Sequence, residues 1–264
     1  MTPVTSDIAA DSIVCSDLSI THTGARGDVQ RVVDGVTFTV ARGTALVLLG
    51  ATGSGKSTLA AVLAGAAGAG VEIVGGDAVV EGISVRRPGR KRRLLSVLTG
   101  HLGQSDGATL PARLTVGEIV AEPVTSRQRK VNGRALSFRV ATLLDELGLP
   151  LGAVGKYPYE LSAGMRQRVA LARTLMLEPR LVVADEPLAN LDVEAREIVR
   201  AALARRQREH GLSLLMVANE PETVARFDAD VLALQAGHVV GIGHGVRGMV
   251  WTPSSEADRR LVSS

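Results

Sequence analysis

The sequence predicts an α/β fold in which parallel strands are joined by crossover helices, on three observations. Short β-branched runs alternate with longer Ala-, Leu- and Arg-rich segments, the pattern of strands feeding helices. A glycine-rich stretch, GATGSGKST at 50–58, falls between an apolar run and a segment of helical spacing. Further on, LVVADEP at 181–187 places two carboxylates and a strand-ending proline behind four apolar residues.

In chain order, the apolar runs predict strands over 44–49, 181–184, 213–217 and 231–234. Helical spacing follows three of them, over 56–66, 193–209 and 222–227. Between 105 and 159 the β-branched runs thin out, and apolar positions recur at helical spacing in 116–121 and 135–147, which predicts a helical insertion. The Gly/Ala-rich stretch 64–76 reads as a mobile connection after the first helix.

With 264 residues, 45% of them apolar, the chain can bury the core of one large domain, and 22% charge is too ordinary for a disordered chain. The uncharged stretch 59–71 falls short of the roughly 18 apolar residues that a membrane helix needs. The first residues, MTPVTSDIAADS, have neither a basic nor an apolar signal region, so a cytoplasmic location is expected. Cys15 is the only cysteine, which excludes an internal disulfide. Net charge is +3, and positive charge concentrates in RRPGRKRR at 86–93. That run reads as a solvated helix face. With 2% aromatic residues and none inside the run, base stacking is disfavoured and no nucleic-acid partner is expected.

The stretch Gly50, Ala51, Thr52, Gly53, Ser54, Gly55, Lys56, Ser57, Thr58 fits G-x-x-x-x-G-K-[ST] from Gly50 to Ser57. ALVLL runs into it and LAAVLA follows, so the loop is expected at a helix N-terminus, where unpaired N–H groups and the helix dipole favour an anion. Glycines let the backbone curl around phosphate oxygens, Lys56 supplies charge to the β- and γ-phosphates, and Ser57 offers a hydroxyl to Mg²⁺. In the acidic strand, Asp185 is expected to hold Mg²⁺ and Glu186 to polarise an attacking water. These two motifs leave nucleotide kinases, switch GTPases and motors open.

A third segment narrows the choice. Residues 157–180, YPYELSAGMRQRVALARTLMLEPR, strongly resemble the signature region of ABC ATPases, in particular the branch serving oligopeptide, dipeptide and nickel importers. TVGEIVAEPV at 115–124 resembles that branch's segment after the Q-loop, and NLDV at 190–193 its D-loop. The resemblance implies a P-loop NTPase with a RecA-like core (about 1–104 and 165–264), a helical subdomain (about 105–164) and an N-terminal antiparallel β portion. It implies ATP and Mg²⁺ as ligands and a head-to-tail dimer with a second ABC ATPase subunit, whose ATP would meet Ser162 and Gly164. Transmembrane permease subunits and, indirectly, an extracytoplasmic solute-binding protein would complete the assembly at the cytoplasmic face of the membrane. Gln104 falls at the Q-loop glutamine, which bridges Mg²⁺ and the helical insertion, although Gly103 and Ser105 depart from the usual flanks.

Further departures touch the expected ATP site. Ala163 replaces the first signature glycine, His22 stands roughly where an aromatic residue stacks on adenine, and Asn219 takes the place of the switch histidine. Residues 249–264 resemble only the start of the branch's C-terminal extension. The expected function is ATP hydrolysis powering an importer of a peptide, nickel or metallophore. Asn219 keeps open a weakly hydrolytic partner in an asymmetric heterodimer. A non-transport ABC ATPase is the other alternative, disfavoured because such proteins usually carry long coiled-coil insertions or two fused units, for which this length leaves no room.

Overall fold

The computed structural model describes residues 11–24, 27–128, 130–219, 224 and 227–251. Among these, strands run at β1 (Asp11–Thr23), β2 (Val29–Ala41), β3 (Ala45–Leu49), β4 (Val71–Val80), β5 (Ile83–Ser84), β6 (Thr99–Leu102), β7 (Leu181–Asp185), β8 (Ser213–Val217), β9 (Asp230–Gln235), β10 (His238–His244) and β11 (Val250–Trp251). The α-helices are α1 (Lys56–Leu63), α2 (Arg92–Leu98), α3 (Val116–Thr125), α4 (Gly133–Glu146), α5 (Ala163–Leu175) and α6 (Val193–His210).

Strands β6, β7, β8, β3 and β9 lie parallel in a sheet of order β11-β10-β9-β3-β8-β7-β6, with β10 and β11 antiparallel at one edge. A strand covered on both faces must be apolar on both, which is why ALVLL and SLLMV are continuous rather than alternating runs. Period-two geometry then splits them between two cores. Val47, Val182, Ala184, Leu214 and Met216 face the core built with α3, α4, α5 and α6. Leu46, Leu48, Leu181, Val183, Leu215 and Val217 face the core built with α1 and the antiparallel sheet β2-β1-β4-β5. Helices α3 and α4 fall between β6 and β7 in the chain and pack on each other and on α5, as the helical insertion predicts. Their starts are capped by Thr115, with a reciprocal Glu118 contact, and by Asn132.

Of the stretch 64–76 expected as a connection, residues 64–70 form one and the rest is strand. Helix α1 ends at Leu63, and β4 already runs from Val71. Gly76 serves close approach: a Cβ on it would stand 2.2 Å from the carbonyl oxygens of Asp17 and Ser16 on β1. The basic run 86–93 is a 3₁₀ turn at Gly89–Lys91 and the start of α2, with its Arg and Lys side chains exposed. Of the helix expected over 222–227, Val224 and Phe227 are described, both helical and buried, while the rest lies outside the described residues. So do residues 1–10 and most of the C-terminal stretch expected to resemble an extension.

Candidate active site

The loop 50–55 turns the chain from the end of β3 into α1, and two glycines make the turn possible. Gly50 (φ 145°) lies so close to β9 that a Cβ would stand 2.1 Å from the Leu234 carbonyl oxygen. Gly55 (φ 98°) meets β2 in the same way, 2.2 Å from the Val32 carbonyl oxygen. Gly53, by contrast, opens onto free space. The loop is tied down by Ser54 N–H donating to Ala51 O (3.1 Å) and Gly237 N–H to Ser54 O (3.1 Å). Helix α1 starts with no side-chain cap and no acidic residue in its first turn, which leaves its N–H groups for an anion.

Lys56 is 5% exposed, and its Nζ donates to the carbonyls of Gly50 (2.6 Å) and Ala51 (2.9 Å). Burial pulls its pKa below the ordinary lysine value, while the nearby Asp185 and Glu186 oppose that pull. The ammonium thus closes the loop on itself and faces two carboxylates across the gap.

Those carboxylates come from β7, whose C-terminal end stops at Asp185 (6% exposed). The next residue, Glu186, sits at φ 51°, a left-handed conformation uncommon outside glycine. Its N–H donates to Val217 O (3.0 Å), and Gln167 Nε2 donates to its carbonyl (3.5 Å). Asn219 lies two residues past β8, and its Nδ2 donates to Glu186 Oε1. Gln104 lies two residues past β6, in an exposed turn held by Gly103 N–H donating to Asp106 Oδ2 (2.8 Å).

A cavity of about 300 Å³ brings these groups together: Thr52, Gly53, Gly55, Lys56, Ser57 and Thr58 on one side, and Gln104, Asp185, Glu186 and Asn219 on the other. Gly50, Ala51 and Ser54 shape the loop behind it. His22 is exposed on β1 and off the cavity wall, and its cross-strand partner Gln30 lines the wall instead, with Val32. Ser162 and Gly164 are elsewhere. Ser162 caps α5 by accepting from Met165 N–H (3.2 Å), and a Cβ on Gly164 would stand 2.8 Å from Asn190 O, so the glycine lets the 188–191 turn pack on α5.

Sequence reasoning missed Gln30 and Val32, which reach the site only through β2 pairing, and Gln167, which reads as an ordinary helical glutamine. Asp106 was legible in principle, since an aspartate three residues past a glycine signals a side-chain-closed turn. Oxygen donors on Ser57, Asp185 and Gln104 suit a small hard cation such as Mg²⁺, which takes few protein ligands and completes its shell with phosphate oxygens and water.

Residues 33–189 match the ABC transporter family. The oligopeptide transport ATP-binding protein OppF of Escherichia coli K12 is 34% identical over 215 residues, covering 81% of this chain and 63% of that protein. OppD of Mycobacterium tuberculosis is 34% identical over 247 residues, covering 91% of this chain and 38% of that protein. The putative oligopeptide transport ATP-binding protein YkfD of Bacillus subtilis is 32% identical over 228 residues, covering 86% of this chain and 68% of that protein. The chain therefore spans under two thirds of the length of the OppF and OppD proteins it matches. In structure, the dimeric ATP-binding cassette MJ0796 bound to ADP and Pi superposes with a TM-score of 0.79 at 21% identity, covering 88% of this chain and 98% of that one. The cbiO1 chain from Clostridium perfringens gives 0.74 at 22%, covering 90% of each. At such identities the structural likeness is one of fold.

Proposed function

Because the chain belongs to the ABC transporter family, we propose that it is the ATP-binding and hydrolysing subunit of an importer, driving separate membrane subunits. One observation carries the reading: the uncapped start of α1, buried Lys56 and the Asp185–Glu186 pair converge on one cavity. The phosphates of ATP would lie on Gly50–Thr58, with Mg²⁺ held by Ser57, Asp185 and Gln104. When bound, the metal would neutralise developing charge on the phosphoryl oxygens. Glu186 would accept a hydrogen bond from the attacking water and orient it, and Asn219 would hold that carboxylate. His22 would sit near the adenine edge together with Gln30.

Lys56, Asp185 and Glu186 lie on one cavity, whereas Ser162 and Gly164 lie outside it, which supports a head-to-tail pair in which each signature completes another subunit's site. The helical segment of about 105–164, set against a core of about 1–104 and 165–264, would contact permease subunits at the cytoplasmic face, with an extracytoplasmic receptor delivering the solute. Of the peptide, nickel or metallophore classes, the names of the relatives support a peptide-class cargo. The test is MgATP hydrolysis by the chain across a range of concentrations, with and without membrane subunits. Activity should rise steeply with concentration, and full turnover by a dilute monomer would overturn the paired site.

A second reading, a nucleotide-binding but weakly hydrolytic member of an asymmetric pair, is favoured by Asn219, whose amide cannot exchange a proton with Glu186 near neutral pH.

A further inference from the structure

Gln167 is a buried polar side chain with no part in the reading above. It lies on α5, is 3% exposed, and a carboxamide so enclosed needs hydrogen-bond partners. Its Nε2 reaches the carbonyl oxygen of Glu186 at 3.5 Å. Glu186 holds φ at 51°, which a non-glycine residue keeps only where its surroundings impose it. The contacts that hold it are the Glu186 N–H on Val217 O, at 3.0 Å, and, on its carbonyl oxygen, the Ala189 N–H of the following turn, at 3.0 Å, and Gln167 from α5. Gln167 is itself clamped from above by the turn that carries Gln104. A Cβ added to Gly107 would stand 2.6 Å from Gln167 Oε1 and 3.0 Å from its Cα.

We propose that Gln167 is a positioning residue for Glu186: from α5, and beneath the 103–107 turn, it holds the peptide that follows the carboxylate-bearing residue. The proposal deepens the ATPase reading and rests on it for its kinetic readout. Without the Gln167 donor, the Glu186 carbonyl keeps only the Ala189 N–H, at 3.0 Å, and its peptide is freer to relax away from the left-handed conformation. The carboxylate then swings off its aim. Because α5 begins at Ser162 and Gly164, one rigid helix joins the signature segment to the backbone of Glu186.

The test compares Gln167→Leu, Gln167→Glu and Gly107→Ala with the unaltered full-length chain. A misplacement near 1 Å costs on the order of 10²-fold, so kcat of Gln167→Leu and Gly107→Ala should fall about 10- to 100-fold with KM for MgATP little changed. Gln167→Glu sets a carboxylate against a carbonyl and should be slow at neutral pH. As pH falls, its protonated O–H can donate to Glu186 O again, and its rate relative to the unaltered chain should recover. Without nucleotide, amide hydrogen exchange over 185–191 should be faster in Gln167→Leu. The proposal is overturned if the Leu and Ala variants keep kcat and exchange unchanged, or if Gln167→Glu shows no recovery in acid, which is what a filler of space would give. Should Gln167→Leu fail to fold, the Glu and Ala variants decide alone. An unaltered chain that hydrolyses no MgATP under any condition would instead overturn the ATPase reading, and hydrogen exchange would still decide the role of Gln167.

Discussion

Replacing Asn219 by histidine should raise turnover at the site built on this chain's own phosphate loop. In the structure, Asn219 Nδ2 donates to Glu186 Oε1, a neutral donor on a carboxylate. Such a bond contributes about 1.5–3 kcal/mol, which equals roughly a 10- to 150-fold effect on a rate that depends on it. The amide spends that donor on Glu186 and has no proton to exchange, while an imidazole donates and also titrates near pH 6.5. It is also longer, so it reaches further into the cavity towards the phosphates. The expected gain for Asn219→His is therefore about tenfold or more in kcat, with a new ionisation in the pH–rate profile near or above pH ~6.5, since the neighbouring carboxylate favours the charged imidazole. Asn219→Ala should lose activity over the same range. Steady-state phosphate release at fixed protein concentration measures all three. The reasoning is refuted if Asn219→His leaves rate and profile unchanged while Glu186→Gln eliminates turnover, because the amide would then already suffice.

Gly55→Ala should abolish nucleotide binding and cost on the order of 1–3 kcal/mol of stability, read by thermal unfolding, because its Cβ would meet the Val32 carbonyl at 2.2 Å in a left-handed backbone. Glu146, its side chain 6% exposed, pairs with Arg205 at 2.9 Å and with Arg206, and joins α4 to α6. Glu146→Gln should cost about 2–3 kcal/mol at neutral pH by leaving two guanidiniums short of a partner, one of them half exposed. Burial alone would raise the Glu146 carboxyl, but the Arg206 and Arg205 contacts outweigh it and hold the pKa below its ordinary 4.5. The stabilisation is therefore full above that value and lost as pH falls through the lower folded-state pKa, so acid unfolding of Glu146→Gln should show a shallower pH dependence.

The 50–58 loop and the acidic strand were legible as local structure because each is contiguous: the motif and its backbone scaffold occupy under ten residues, and a strand and helix frame the loop on either side. The parallel sheet was legible for a related reason, since β3, β7 and β8 are buried on both faces and read as unbroken apolar runs. What the sequence hid depends on pairing between distant segments. Gln30 and Val32 line the cavity only because β2 passes the glycine loop, and Gln167 meets Glu186 only through the packing of α5 on the sheet at β6. Part of the stretch 64–76 read as a connection is strand, because glycine suits both a connection and close approach, and only the position of β1 shows that Gly76 serves the second. Asn219 stood out as a departure, but its bond to Glu186 joins residues 33 apart and could not be read from either neighbourhood.

Titration of the chain and of Lys56→Ala with a fluorescent MgATP analogue tests the central claim most directly. Lys56 is the buried cation of the cavity, and its ammonium closes the loop over which the phosphates would lie. The unaltered chain should bind saturably, and Lys56→Ala, while still folded by circular dichroism, should lose tight binding. Equal affinity in the two proteins would contradict the account, because the phosphates would then be held somewhere other than this loop.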